Sequence, residues 1–304
     1  MLKKMIRYGL YPVLLFSLVA AATLAELFQW KPGTVYGVAT VALLVILMVT
    51  ERWMPLDVNL GMTSGSFLRD LKYISIDAPV IAGTRMLAGW VGLLWSENHA
   101  RLLRDVSWPI GAIAFLIVFQ FFQYWYHRLS HSGRGPVGSF LWKVHSAHHL
   151  PDRLYVTMHA VFHPINAIIA TMIIQGTLIL LGVSPYASLA AMLLIDLAGL
   201  ISHFNVDVRM GFLAYLFIGT ETHRMHHSAD TISSKNFGNT LALWDIVFGT
   251  FQYAPGQRPQ RIGIADPETH PRSEDLLRVL AFPFGGFPRP AEKGVQSLDE
   301  GASV

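Results

Sequence analysis

No cysteine occurs anywhere in the 304 residues. Disulfides, thiolate metal sites, iron–sulfur clusters and cysteine nucleophiles are therefore all excluded. Charge is scarce as well. Only 14% of residues are Asp, Glu, Lys or Arg, where a soluble chain carries about 25%. The hydrophobic share is 52% and the mean hydropathy is +0.41, so the shortage of charge points to a polytopic membrane protein. The net charge of +3 is small and its basic residues are dispersed. That pattern leaves no footprint for nucleic acid.

What is present is a series of apolar runs and a concentration of histidine. Runs at 8–30, 35–49, 74–95 and 108–126 each approach the roughly 20 helical residues that cross a bilayer. Residues 57–72 are polar and mixed, and a surface segment is expected there. Two further apolar runs, 165–181 and 186–200, flank the turn Gly182-Val183-Ser184-Pro185 and either cross the membrane or re-enter it as a hairpin. Residues 204–253 are amphipathic. From Pro255 the chain is rich in Pro, Gly and charge, and a short helix around 273–280 is the only regular element expected.

The fold class that follows is all-α: a polytopic membrane protein of four or more transmembrane helices plus a membrane hairpin. A cytoplasmic helical cap would hold a histidine-rich di-metal site. The expected division is 1–107 for N-terminal membrane helices, 108–254 for a catalytic domain and 255–304 for a cytoplasmic tail. Lys3, Lys4 and Arg7 place the N-terminus inside by the positive-inside rule. Counting spans from there puts every histidine cluster on the cytoplasmic side, and a bacterial inner membrane is the expected location. Arg101 and Arg104, in a loop that the count places outside, run against the rule.

Thirteen histidines are present. His127 and His131 are an i, i+4 pair; His145, His148 and His149, and again His223, His226 and His227, are i, i+3, i+4 triplets. On a helix each set aims its imidazoles to one side. Imidazole suits zinc, copper, iron and nickel. Eight such ligands exceed one ion's shell, so two metals are expected, with His163 and His203 as further ligands. Roughly five donors per ion leave an open position in an octahedral count, which a closed structural zinc site does not have. Open positions on redox-capable iron are what dioxygen chemistry needs, and zinc could replace iron on purification. His159 is a candidate extra ligand or support. Asp196, inside an apolar run seven residues before His203, is a candidate functional carboxylate. Asp152, Glu221, Asp230 and Asp245 are candidates to accept the outer ring N–H groups. His99 and His270 read as ordinary surface residues. Gly133-Arg134-Gly135-Pro136-Val137-Gly138 matches a dinucleotide fingerprint but follows no strand, so it reads as a flexible connection.

These boxes resemble those of the fatty acid hydroxylase / sterol desaturase superfamily of integral-membrane enzymes. Tyr124-Trp125-Tyr126-His127-Arg128-Leu129-Ser130-His131 looks like that family's first box, and Trp142-Lys143-Val144-His145-Ser146-Ala147-His148-His149 like its second. His203-Phe204-Asn205-Val206, the stretch from Thr222 to Asp230, and 236–251 resemble its C-terminal signature. The likeness covers roughly residues 110–255. It implies a histidine-ligated di-iron centre, held by His127, His131, His145, His148, His149, His163, His203, His223, His226 and His227. Such a centre hydroxylates or desaturates an apolar lipid (fatty acyl, sterol or related) with dioxygen. No haem motif of a fused cytochrome domain occurs, which implies a separate electron donor of reductase, ferredoxin or cytochrome type. Val161 and Asn166 stand where bacterial relatives typically carry arginine and glutamate. Ether-lipid cleavage, as in alkylglycerol monooxygenase-like members, is the alternative reaction. A membrane metal-ion transporter is the alternative of another class, although acidic residues do not line successive spans as an ion path requires.

Overall fold

A computed structural model describes residues 1–99, 101–229 and 235–285. Among these residues no strand forms, and only two isolated bridges occur, Phe217 with Leu241 and Ser228 with Ile262. Among the described residues six helices are long and apolar enough to cross a membrane. They are α1 (Leu2–Leu27), α2 (Pro32–Trp53), α3 (Ser64–Asn98), α4 (Trp108–Ser130), then, after the shorter α5 (Gly135–His149), α6 (Pro164–Leu181) and α7 (Pro185–Ser202). Short helices α8 (Thr220–His226), α9 (Leu243–Val247) and α10 (Leu276–Ala281) complete the described chain.

Helix starts follow local chemistry. Proline occupies the first turn of α2, α4, α5, α6 and α7, where its missing N–H costs nothing. Thr63 and Ser66 form a reciprocal capping box that starts α3 at Ser64. The stretch 57–72, expected as a surface segment, is mostly exposed, with Ser66, Arg69 and Asp70 buried in it. Arg69 and Asp70 in that stretch are buried and paired at 2.8 Å, and Arg69 also donates to the Tyr155 hydroxyl and to Ser273 Oγ. α6 ends at Gly182, whose φ of +58° is left-handed. A Cβ there would also stand 2.7 Å from Arg101 Cβ, so glycine satisfies backbone and space together.

α7 is the central helix. It packs against α1, α2 and α4 and buries Leu189, Ala191, Leu193, Leu197 and Ile201. α3 packs on α6 at the periphery, exposing Met86, Leu87, Trp90 and Leu93. Val13 and Phe16 of α1 and Val38 and Val41 of α2 are exposed too. A surface this apolar is the solvent-facing side of a protein whose solvent is lipid.

Helix ends gather at one face. Arg209 N–H donates to the Arg7 carbonyl at 2.7 Å, and Arg7 pairs with Asp207. Glu51, at the end of α2, accepts from the Asn205 and Val156 N–H groups. The basic N-terminus and the histidine-bearing helix ends thus share one side of the bundle. Residues 255–285 are mostly irregular, with α10 where a short helix was expected. They are nonetheless pinned, since Tyr73 donates to the Ser273 carbonyl and the Trp142 indole to His270 Nε2. His270 is therefore more than an ordinary surface residue.

Candidate metal centre

Four helix ends converge. α4 brings His127 in its last turn and His131 at its C-cap. α5 brings His145, His148 and His149, α7 ends on His203, and α8 brings His223, His226 and, at its C-cap, His227. Their ring nitrogens fall into two groups. His127, His131, His145, His149 and His226 form one; His148, His203, His223 and His227 form the other, with donor atoms in each group within 4.8 Å of one another. The groups abut where His149 stacks on His227, ring centres 4.3 Å apart.

Outer hydrogen bonds settle which nitrogen faces inward. Nδ1 of His127 lies 2.8 Å from the Phe237 carbonyl, that of His226 2.8 Å from the Lys235 carbonyl, that of His203 3.0 Å from the Gly199 carbonyl and that of His148 3.1 Å from the Val161 carbonyl. His145 Nδ1 lies 3.1 Å from Asn166 Oδ1, which also takes the Tyr126 hydroxyl proton at 2.7 Å. A carbonyl oxygen only accepts, so each of these Nδ1 atoms carries the proton and each Nε2 is a bare lone pair. Nε2 of His148 nevertheless stands 3.0 Å from Nε2 of His203. Two lone pairs cannot hydrogen-bond each other. Nε2 of His127, His131 and His226 are buried without any partner. Buried lone pairs this close are unfavourable unless a cation lies between them, and that is the sense in which the residues fit metal ions.

Burial keeps these rings neutral. It pushes His145 and His203 down to about 3. It also holds His131, His148, His149, His223, His226 and His227 well below the usual histidine value, with neighbouring imidazoles adding to the effect. At neutral pH no proton competes for the inward nitrogens.

The remaining sequence candidates are placed as follows. His163 lies outside both groups: its Nδ1 accepts the Ile165 N–H and its Nε2 faces the Leu280 carbonyl at 3.3 Å. It caps α6 and joins neither group. His159 is also outside them. Its ring fits against Gly199, where a Cβ would come within 2.6 Å, and lies 5.3 Å from the His203 ring. Burial pushes it down to about 4. Asp245 accepts from the N–H groups of Phe237 (2.8 Å) and Gly238 (2.6 Å) and from Thr250 Oγ1 (2.7 Å). It thus fixes the peptide whose carbonyl holds His127, and burial pushes its carboxyl up against those donors. Glu221 touches no imidazole. It accepts from Arg209, the Met210 N–H and Tyr253 and so ties the strap before α8 to the chain after it. Asp152 is exposed. Asp196 sits deeper in α7, accepting from Thr40 at 2.7 Å. Asp230 lies outside the described residues. The acceptors that sequence reasoning missed are mostly backbone carbonyls, which leave no residue signal. Asn166 alone was visible, as the residue three positions after His163.

Two cavities meet the centre. One, of about 230 Å³, runs on the membrane side and is lined by His127, His145, His148, His203 and His223. The other, of about 250 Å³, lies beneath residues 263–270 and reaches His131, His149 and His226.

Residues 112–250 match the family model described as fatty acid hydroxylase. The chain is 28% identical over 259 residues to ornithine lipid hydroxylase OlsE of Rhizobium tropici, covering 82% of this chain and 75% of that protein. It is 25% identical over 246 residues to alkylglycerol monooxygenase of Xenopus tropicalis, covering 78% of this chain and 50% of the relative. With the Caenorhabditis elegans alkylglycerol monooxygenase it shares 25% identity over 156 residues, 51% of this chain and 30% of the relative. The chain thus spans half or less of the two monooxygenases. No solved structure matches it. The matched segment carries all nine grouped histidines on their converging helix ends, and through that segment the chain is similar to the fatty acid hydroxylase superfamily.

Proposed function

We propose that the chain is a membrane-embedded, dioxygen-dependent lipid hydroxylase whose two histidine groups each hold one iron. The observation that carries this reading is the cluster of buried imidazoles, five of them protonated on the outer Nδ1, in which the bare Nε2 atoms of His148 and His203 face each other at 3.0 Å. Nine nitrogen donors over two ions leave coordination positions open, which suits a reacting centre better than a closed structural one. Bound iron would supply the activation of dioxygen. Hydroxylation places one oxygen atom in a C–H bond and releases the other as water, consuming two electrons and two protons that a separate reductase, ferredoxin or cytochrome-type donor must deliver.

The chain's own residues do the rest. Phe237, Lys235, Gly199 and Val161 hold four rings by their carbonyls, and Asn166 holds a fifth by its side chain. That anchoring fixes the donor geometry before metal arrives. Near-complete burial of the histidines excludes bulk water. Lipid would reach the centre from the bilayer through the membrane-side cavity. The basic N-terminus on the same face supports a cytoplasmic site. The monooxygenase relatives favour a second reading, oxidation at a carbon beside an ether oxygen, which uses the same site.

The test is reconstitution of purified protein with iron and measurement of oxygen uptake with a reductant and bilayer lipids, products being identified by mass spectrometry. An alcohol or a cleaved ether, formed only with iron, supports the reading. Protein that retains only zinc and consumes no oxygen after iron loading overturns it.

A further inference from the structure

The chain beyond the matched residues 112–250 returns across the histidine centre. Ser228 and Ile262 form an antiparallel bridge. Two hydrogen bonds flank it, from Ala229 N–H to the Arg261 carbonyl at 2.8 Å and from Gly263 N–H to the His227 carbonyl at 3.0 Å. The second bond takes hold of α8 at the backbone of a grouped histidine. Gly263 reaches the other triplet as well. A Cβ on it would stand 3.4 Å from the Pro151 carbonyl oxygen and 3.6 Å from that of His149. Ala229, Ile262 and Gly263 are all buried. The strap 261–263 thus lies in the crease between the end of α5 and the end of α8.

α5 packs on α4, and α8 on α7. Between α5 and α8 the rings of His149 and His227 stack with centres 4.3 Å apart. Stacked neutral rings tolerate sliding, whereas a directional hydrogen bond and a close backbone fit do not. The fit depends on a conformation that glycine adopts freely, since φ at Gly263 is +112°. An alanine has space there, because its Cβ would meet the two carbonyls at ordinary contact distances. It lacks the backbone freedom, so it turns φ away and draws the N–H off the His227 carbonyl. From Gly263 the chain continues over the cavity that reaches His131, His149 and His226, which Ile264, Ala265 and Asp266 also line. Its far side is held by the Trp142 indole on His270 Nε2 at 3.2 Å and by the Tyr73 hydroxyl on the Ser273 carbonyl at 3.0 Å.

We propose that the strap 261–263 is a clasp that sets the register of α5 against α8, with Gly263 as a positioning residue for both metal groups. Each of these helices gives histidines to both groups. A slip of one end past the other therefore displaces donors in both at once, and the clasp acts on the whole centre although it supplies no ligand. It works through the carbonyl of His227 and the turn after His149, so its effect on the metals is positional. The inference rests on the metal-binding reading above and adds to it the part of the chain that holds the two triplets together.

The experiment reads metal geometry and metal release rather than turnover. Full-length protein in uncharged detergent is loaded with cobalt(II), whose visible absorption reports the number and arrangement of its ligands. It is then challenged with a chelator well below its melting temperature. Gly263→Ala should shift the visible bands and release cobalt roughly tenfold to hundredfold faster than wild type. Ile262→Ala trims the buried side chain that seats the strap and leaves the backbone at Gly263 alone. It should move both readouts the same way by a smaller factor, and it serves if Gly263→Ala does not fold. Gly182→Ala is the matched control: a left-handed glycine too, in the turn between α6 and α7, it should melt lower yet keep wild-type bands and release. Wild-type bands and release in Gly263→Ala and Ile262→Ala overturn the clasp while leaving the metal reading intact. Equal acceleration in Gly182→Ala overturns it too, since lost stability would then act from anywhere. Faster release with wild-type bands makes the strap a cover over the cavity and overturns the register claim. Wild-type protein that binds neither cobalt nor iron overturns the clasp together with the metal reading.

Discussion

Asp245→Asn tests whether the histidine frame and the metals are coupled through the protein. The carboxylate accepts from Phe237 N–H and Thr250 Oγ1 on one oxygen and from Gly238 N–H on the other. An asparagine oriented to keep the first pair turns its NH₂ toward the Gly238 N–H, donor against donor at what was a 2.6 Å contact. Leaving that N–H unsatisfied costs about 1–3 kcal/mol, and removing the charge from the two remaining bonds costs about 1 kcal/mol each. Relief of the buried negative charge, which pushes the carboxyl up, returns part of this. The net expectation is a loss of about 2–4 kcal/mol. Because the Phe237 carbonyl takes the His127 ring proton, iron affinity should fall by about tenfold to hundredfold as well. The assay is paired: thermal melting in detergent, and iron retained against a graded chelator series. Unchanged melting with unchanged retention refutes the argument. Lower melting with wild-type retention refutes the coupling to His127 and leaves Asp245 a purely structural residue.

Three other outcomes follow from the same contacts. His148→Ala should lower metal content and abolish activity, whereas His163→Ala should keep the metal and lose only the α6 cap, about 0.5–2 kcal/mol; metal analysis of the two variants side by side separates ligand from cap. Gly182→Ala must hold φ near +58° and place a Cβ 2.7 Å from Arg101 Cβ, so it should lower the melting point by a strain of at least about 1–2 kcal/mol; an unchanged melting curve would contradict the turn geometry. Metal-free protein should lose stability in acid. Histidines with folded values of about 3 or 4, here His145, His203 and His159, take up protons in the unfolded chain first, so stability falls as pH drops below about 6.5 and continues falling to about 3. A flat denaturation midpoint between pH 7 and 5 would refute that linkage.

Much of this architecture was legible in the sequence for definite reasons. The apolar runs declare the six long helices because the membrane imposes both length and hydropathy on a span. The i, i+3, i+4 histidines declare a metal site because helical periodicity aligns them. Hydropathy leaves two features of residues 57–72 unread: Arg69 and Asp70 neutralise each other in the interior, and the Thr63–Ser66 capping box, a local signal, starts the helix at Ser64. His163 caps α6 through Nδ1, a local role that a histidine before a proline at a helix start can take and that spacing does not separate from metal ligation. Most acceptors of the ring N–H groups are peptide carbonyls, set by chain path rather than by side-chain identity.

The deepest part that spacing alone leaves open is how the triplets divide. At 100° per residue, positions i and i+4 differ by 40° while i+3 lies 60° to the other side of i. One helix face can thus serve two ions. α5 gives its i, i+4 pair, His145 and His149, to the group of five and its middle residue, His148, to the group of four. α8 does the opposite, giving His223 and His227 to the group of four and His226 to the group of five. Each triplet clasps both groups, so neither site can form unless α5 and α8 dock in register. The asymmetry comes from α4, which adds the pair His127 and His131, against the single His203 from α7. The group of four is therefore the less filled, and His148, His203 and His223 from it line the membrane-side cavity. His127 and His145 of the group of five line that cavity too, while His131, His149 and His226 of the same group line the cavity beneath the C-terminal segment.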